Sequence, residues 1–327
     1  MLVSLWRPIL ILVVLPFFFV SLLYISAFFT YLVKLRPWIT NRCSLLCEEH
    51  RFMRLKTIQG PLGASFSVPL PSLDLVSHFI ATLWDIHGRI FHGYEVVGME
   101  KISQNKPALL IYYHGTIPLD IYHFVARYVI THGFCPTPIV DNFMLRTPGI
   151  QNFIRLTGAR AGTVEECVKM LKHDSADDHA PMILIGPGGV REALFSDEYY
   201  NTLWGNRTGF AKVALEANCA VYPMFTENIR EPIRPMQLGK SLWQRLYEKT
   251  RLPLNPLYGY FPVKLRTFIG DPIDTSGIVS PRVLADLINE AVQKLIFQHQ
   301  VLPGNILRAT FQRIPQIDRI LNSKKKK

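Results

Sequence analysis

Ala108-Leu109-Leu110-Ile111-Tyr112-Tyr113-His114-Gly115-Thr116-Ile117-Pro118-Leu119-Asp120 is the stretch from which the fold can be read. Its first six residues are an unbroken apolar run, the pattern of a strand buried on both faces of a parallel sheet. The pattern then changes. Pro118 suits the first turn of a helix, and Leu119 to Thr131 carries apolar residues at helical spacing. A strand running into a helix places His114 at the strand's carboxyl end, where open α/β sheets gather their ligands. Asp120 then falls in the helix's first turn. Two readings of the pair stand side by side. In one, Asp120 orients the ring and His114 takes a proton from an attacking hydroxyl. In the other, a strand-end histidine caps a helix whose dipole Asp120 complements.

The same alternation continues to either side. Pro138 to Val140 begins a second strand, and helical residues follow Pro148. Thr163 to Glu166 has the spacing of a capping box for a helix through Leu171. Met182 to Ile185 is a further buried strand, Arg207 to Ala217 a helix, Ala220 to Phe225 a strand and Val263 to Ile269 a last strand. Ser280-Pro281 opens a closing helix to about Gln298. These signals predict an α/β fold with a mostly parallel central sheet flanked by helices. Upstream, Leu73 to Ile90 reads as an amphipathic helix, with Asp74, Asp85 and Arg89 too polar for a membrane span.

Further out lies a segment of another kind. From Pro8 to Val33 no residue is charged, about 26 positions or roughly 39 Å of helix, which exceeds a hydrocarbon core of about 30 Å. We expect an N-terminal membrane-anchoring helix, or a hairpin turning at Pro16. A secretory signal would be shorter and end in small residues, whereas this run ends Tyr31-Leu32-Val33-Lys34. Lys34, Arg36 and Arg42 follow the run and only Arg7 precedes it, so the positive-inside rule puts the main domain in the cytosol. The expected organisation is an anchor over 1–36, a linker with an amphipathic helix over 37–100, the main domain over 101–300, and a basic tail over 301–327. That tail ends in Lys324 to Lys327, where Lys324 and Lys325 have the spacing of a dilysine endoplasmic-reticulum retrieval signal.

Composition narrows the partners. The chain has 36 basic and 25 acidic residues, a net charge of +11, and is 49% hydrophobic. Such a balance suits an anionic membrane surface or a phosphate-bearing ligand. Its aromatic residues lie in apolar runs, not interleaved with basic ones, which argues against nucleic acid. The five cysteines (Cys43, Cys47, Cys135, Cys167 and Cys219) have neither zinc spacing nor the look of a disulfide framework, so no metal is expected.

One more block carries chemistry, Gly186-Pro187-Gly188-Gly189-Val190-Arg191-Glu192-Ala193-Leu194. Glycines there let backbone amides approach an anion, and the arginine can pair with phosphate or carboxylate. No Gly-Lys-Ser/Thr follows, which excludes a P-loop, and the absence of a Gly-x-Ser-x-Gly elbow argues against an ordinary serine hydrolase.

Taken in order, His114…Asp120, this glycine block, Arg207 to Pro223 and Phe268-Ile-Gly-Asp-Pro-Ile273 resemble the glycerolipid acyltransferase (PlsC-like) superfamily over about residues 105 to 275. The resemblance is greatest to its diacylglycerol acyltransferase 2-related branch. It implies an endoplasmic-reticulum membrane enzyme that esterifies neutral glycerolipids, with acyl-CoA as co-substrate and no bound cofactor. His114 would be the catalytic histidine and Asp120 its partner. Gly188, Gly189, Arg191 and Glu192 would help bind the acyl acceptor. Arg160 falls where relatives keep a basic residue, and with Arg207 and Lys212 it would meet the CoA phosphates.

Two features depart from the superfamily's pattern. Five residues, not four, separate His114 from Asp120, and Pro-Gly-Gly-Val-Arg-Glu replaces Glu-Gly-Thr-Arg, which favours an uncharged acceptor. An esterase or thioesterase on the same fold, or a non-catalytic membrane scaffold, would share most of these residues.

Overall fold

A run of residues that are all apolar must find cover on both sides, and β2 (Ala108–Tyr112) does so at the middle of a seven-stranded sheet. The computed structural model describes residues 73–141, 158–172, 179–251 and 253–325. The expected anchor, the linker to residue 72 and the helical stretch after Pro148 lie outside those residues. Among the described residues no helix is long and apolar enough to cross a membrane.

In chain order the elements are α1 (Leu73–His92), β1 (Glu95–Val97), β2, α2 (Leu119–His132), β3 (Thr137–Val140), β4 (Arg160–Ala161) and α3 (Val164–Leu171). They continue with β5 (Met182–Ile185), α4 (Gly189–Phe195), α5 (Gly209–Ala217), β6 (Ala220–Glu227) and β7 (Ile233–Pro235). Last come α6 (Lys240–Thr250), β8 (Leu257–Gly259), β9 (Arg266–Ile269), α7 (Pro281–His299), α8 (Ile306–Phe311) and α9 (Pro315–Lys325). The sheet order is β1-β9-β6-β2-β5-β3-β4, and every neighbouring pair is parallel except β6 with β9.

This topology positions the site. After β2 the chain crosses to β3 on one side, and after β5 it returns across β2 to β6 on the other. The carboxyl ends of β6, β2 and β5 therefore lie together where the winding reverses, the place α/β sheets leave a crevice. On one face the core joins Leu109, Ile111 and Tyr113 to Phe210, Val213 and Ala214 of α5 and to Leu284, Ile288 and Val292 of α7.

Several local choices explain the elements. Thr163 and Glu166 form the expected capping box: the Thr163 hydroxyl accepts from the Glu166 amide at 3.3 Å, and the Glu166 carboxylate accepts from the Thr163 amide at 2.8 Å. Helix α2 stops at Gly133, whose φ of 69° suits a residue without a Cβ.

The last strand starts later than the apolar run predicts. Val263 to Leu265 are buried, yet Lys264 donates its amide to Ala309 and Leu265 donates to His92, so sheet pairing begins only at Arg266. The stretch from 301 is no loose tail over its described length. Helices α8 and α9 fold back on the sheet, and Arg266 pairs with Glu95, Glu227 and Asp318.

Candidate active site

His114 leaves the end of β2 between two neighbours that come almost into contact with it. On the β5 side, a Cβ added to Gly186 would lie 3.0 Å from His114 Cδ2 and 2.9 Å from the Tyr112 ring, so only glycine fits there comfortably. On the β6 side, Gly115 is pressed against Ile229, leaving no room for a side chain. Parallel pairing of Ile111 with Ile185 puts the glycine block beside the histidine although 71 positions separate the two glycines.

The ring's orientation follows from one contact. His114 Nδ1 lies 2.6 Å from the Gly115 carbonyl, and a carbonyl only accepts, so Nδ1 carries the proton and Nε2 keeps the lone pair. Nε2 makes no hydrogen bond to any described residue. The residue as a whole is half-buried, and burial of the imidazole lowers its pKa to about 4, with buried Arg230 adding to the shift and the Gly115 carbonyl opposing it. The imidazole is therefore neutral at pH 7.

The backbone beneath the ring is also fixed. Glu192, 0% exposed, accepts the amide of His114 at 2.8 Å through one oxygen and that of Leu203 at 2.9 Å through the other. Gly188 packs so closely on this carboxylate that a Cβ there would overlap it. Burial raises the Glu192 pKa to about 7 in spite of those two amides. The buried guanidinium of Arg230 closes the far end of α4, donating to the Glu192 carbonyl at 3.1 Å and the Ser196 carbonyl at 2.8 Å.

Asp120 stands where the sequence placed it, in the first turn of α2 and 1% exposed. Among the described residues neither carboxylate oxygen has a hydrogen-bond partner, and His114 directs Nδ1 to Gly115 instead of to this residue. Burial raises its pKa to about 7, opposed by the nearby Thr226 hydroxyl. That hydroxyl belongs to a chain of three, Thr226 to Thr267 at 2.8 Å and Thr267 to Tyr94 at 2.9 Å.

The remaining predicted site residues divide. Arg207 donates to the Pro187 carbonyl at 2.6 Å and the Gly188 carbonyl at 2.9 Å, bracing the glycine block from outside. It also lines a surface cavity of about 80 Å³ with Trp204, Arg282 and Asp286, and His114 is not part of that cavity. Gly189 opens α4 at φ 50°, and Arg191 is exposed, 3.8 Å from Glu248. Arg160 lies on edge strand β4, three strands from β2, or about 14 Å at the usual interstrand spacing. Sequence reasoning assigned Glu192 to the acceptor; the structure turns its carboxylate inward to the histidine's own backbone. Among the described residues no group of three histidine, cysteine or acidic side chains has the geometry to hold a metal.

A strand-end imidazole with no partner among the described residues on Nε2 thus stands beside a glycine turn, where the winding of a mostly parallel sheet reverses. No family model matches the chain. It is 41% identical over 304 residues to the Homo sapiens "DGAT1/2-independent enzyme synthesizing storage lipids", covering 93% of this chain and 84% of that one. The Bos taurus protein of the same name is also 41% identical, over 93% of this chain and 81% of its own, and the Mus musculus protein 42%, over 93% and 82%. The chain belongs to this family, that of transmembrane protein 68. Among solved structures it is similar to 1-acyl-sn-glycerophosphate acyltransferase PlsC from Thermotoga maritima, at TM-score 0.42 and 15% identity over 69% of this chain and 84% of that one.

Proposed function

We propose that the chain is a membrane-bound O-acyltransferase that moves a fatty acyl group from acyl-CoA to the hydroxyl of a mono- or diacylglycerol. The relatives are named as enzymes synthesizing storage lipids, and di- or triacylglycerol is the product of such a transfer. The observation that carries the reading is the state of His114: neutral, half-buried at a strand's carboxyl end, with its single lone pair on an Nε2 that no described residue engages.

In the reaction Nε2 takes the proton of the lipid hydroxyl as its oxygen attacks the thioester carbonyl. The tetrahedral intermediate then expels CoA thiolate, which recovers the proton from the imidazolium. The Gly115 carbonyl, on Nδ1–H, stabilises that imidazolium. A pKa near 4 keeps the base unprotonated but makes it a weak one, so positioning must supply much of the acceleration. Glu192 contributes by fixing the backbone from which the ring projects. Arg207 and Lys212, at the outer edge of the block and on α5, are the cations we assign to the CoA phosphates. An uncharged acceptor suits a site whose only buried guanidinium among the described residues, Arg230, is committed to carbonyls. We further propose that the N-terminal apolar segment holds the enzyme in the endoplasmic-reticulum membrane.

The test is labelled acyl-CoA supplied with and without diacylglycerol, to wild type and to His114→Ala. The wild type should form acylglycerol ester only when the acceptor is present, and the variant should lose roughly 10²- to 10⁴-fold in rate. Free fatty acid in place of ester would make the chain a hydrolase, and full activity in the variant would remove the proposed base.

A further inference from the structure

Between β6 and β9 the chain leaves the sheet and builds an appendage. Strands β7 and β8 pair antiparallel, Pro235 opposite Leu257 and Arg234 opposite Tyr258, with α6 between them. The inner side of α6 is settled. Tyr247 is buried with its ring 5.5 Å from that of Phe195, and with Leu194 these form a small core on which Trp243, Val190 and Leu203 pack. The appendage is thus seated on α4, the helix whose Glu192 holds the His114 backbone.

The outer side is apolar and uncovered. Leu238 is 82% exposed and Leu242 63%, and Met236, Leu254, Leu257 and Tyr258 are also in solvent. Isolated exposed leucines are ordinary, but this many from one short excursion form a patch that needs a partner. Charge says which. Lys240, Arg245, Lys249 and Arg251 stand on the helix and at its end, and the one acidic residue among them, Glu248, faces Arg191. Leu242, Arg245 and Lys249, three and four positions apart, share one face of α6. Apolar side chains interspersed with uncompensated cations match the boundary of a bilayer bearing acidic headgroups. A second copy of this chain would bring like charges together.

We propose that the appendage of residues 233–259 lies on an anionic lipid surface, with its leucines in the headgroup boundary and its lysines and arginines on acidic headgroups. Seated on α4, it orients the carboxyl-end crevice toward the membrane, in addition to whatever the N-terminal segment does. The docking stands on the patch itself; its use in catalysis rests on the acyltransferase reading.

The experiment measures amide hydrogen exchange of the full chain in nanodiscs of phosphatidylcholine alone and with added phosphatidylserine, so it does not involve acyl transfer. Amides over 236–258 should slow by about tenfold in the anionic discs relative to the neutral ones. Leu238→Glu/Leu242→Glu should lose that slowing with an unchanged thermal unfolding midpoint in detergent. Equal exchange in the two discs, slowing that survives in the double variant, or slowing that appears without lipid as protein concentration rises would each overturn the proposal, the last in favour of a second copy.

Discussion

Asp120 and Glu192 are the two carboxylates buried nearest the ends of β2 and β5, and they are held in opposite ways. Glu192 has both oxygens occupied, by the amides of His114 and Leu203. Asp120 is just as deep, and among the described residues neither of its oxygens has a hydrogen-bond partner. Burial brings both to about pKa 7, so titration alone would make them look alike. Their partners separate them. Glu192 is a positioning residue that acts through the backbone of His114, whereas the Asp120 carboxylate, with no partner among the described residues, lies near the hydroxyls of Thr226, Thr267 and Tyr94.

That contrast is easiest to break at Glu192. Glu192→Ala strands two buried amides, at about 1–3 kcal/mol each, and leaves a cavity; we expect about 3–5 kcal/mol of lost stability in denaturant unfolding, and activity lost with it. A variant that unfolds like wild type would show that the amides have other partners.

Asp120→Asn tests the other side. An acid whose folded pKa is raised contributes stability below its unfolded value, near 3.8, and loses it as pH rises through about 7. The difference in unfolding free energy between Asp120→Asn and wild type should therefore move in the variant's favour by about 2–3 kcal/mol from pH 5 to pH 8. A flat difference would mean that Asp120 is solvated or paired after all.

Glu192→Gln gives the smallest change. It keeps the shape but loses the charge, and its amide group turns an N–H toward one of the two donors. We expect about 1–2 kcal/mol of destabilisation at pH 5 to 6, where the wild-type carboxyl is itself largely protonated, and a partial loss of kcat with little effect on KM. Equal losses in the Gln and Ala variants would replace hydrogen bonding by simple packing as the role of this side chain.

How much of this the sequence revealed depends on range. The neighbourhood of His114 and Gly186 was legible, because two apolar runs each ending in a turn align when their strands pair in parallel. The capping box at Thr163 was legible because both partners lie within one turn. The assignment of Glu192 to the histidine's backbone was not, since it depends on the rotation of α4 about its axis, which glycine content does not specify. Likewise β1, β7 and β8 are three-residue strands without an apolar run of their own. Helix α6 hides among polar residues because only one narrow edge of it is buried.

The ionic cluster at Arg266 has a consequence for synthesis. Its three acidic partners, Glu95, Glu227 and Asp318, come from the first strand, the central sheet and the final helix. Asp318 is synthesised 52 residues after Arg266, so the guanidinium must wait for this counter-charge until well after its own strand has been made. Truncations within α9 should therefore be judged by whether they spare Asp318, which stands in that helix's first turn and supplies one of the three charges around Arg266.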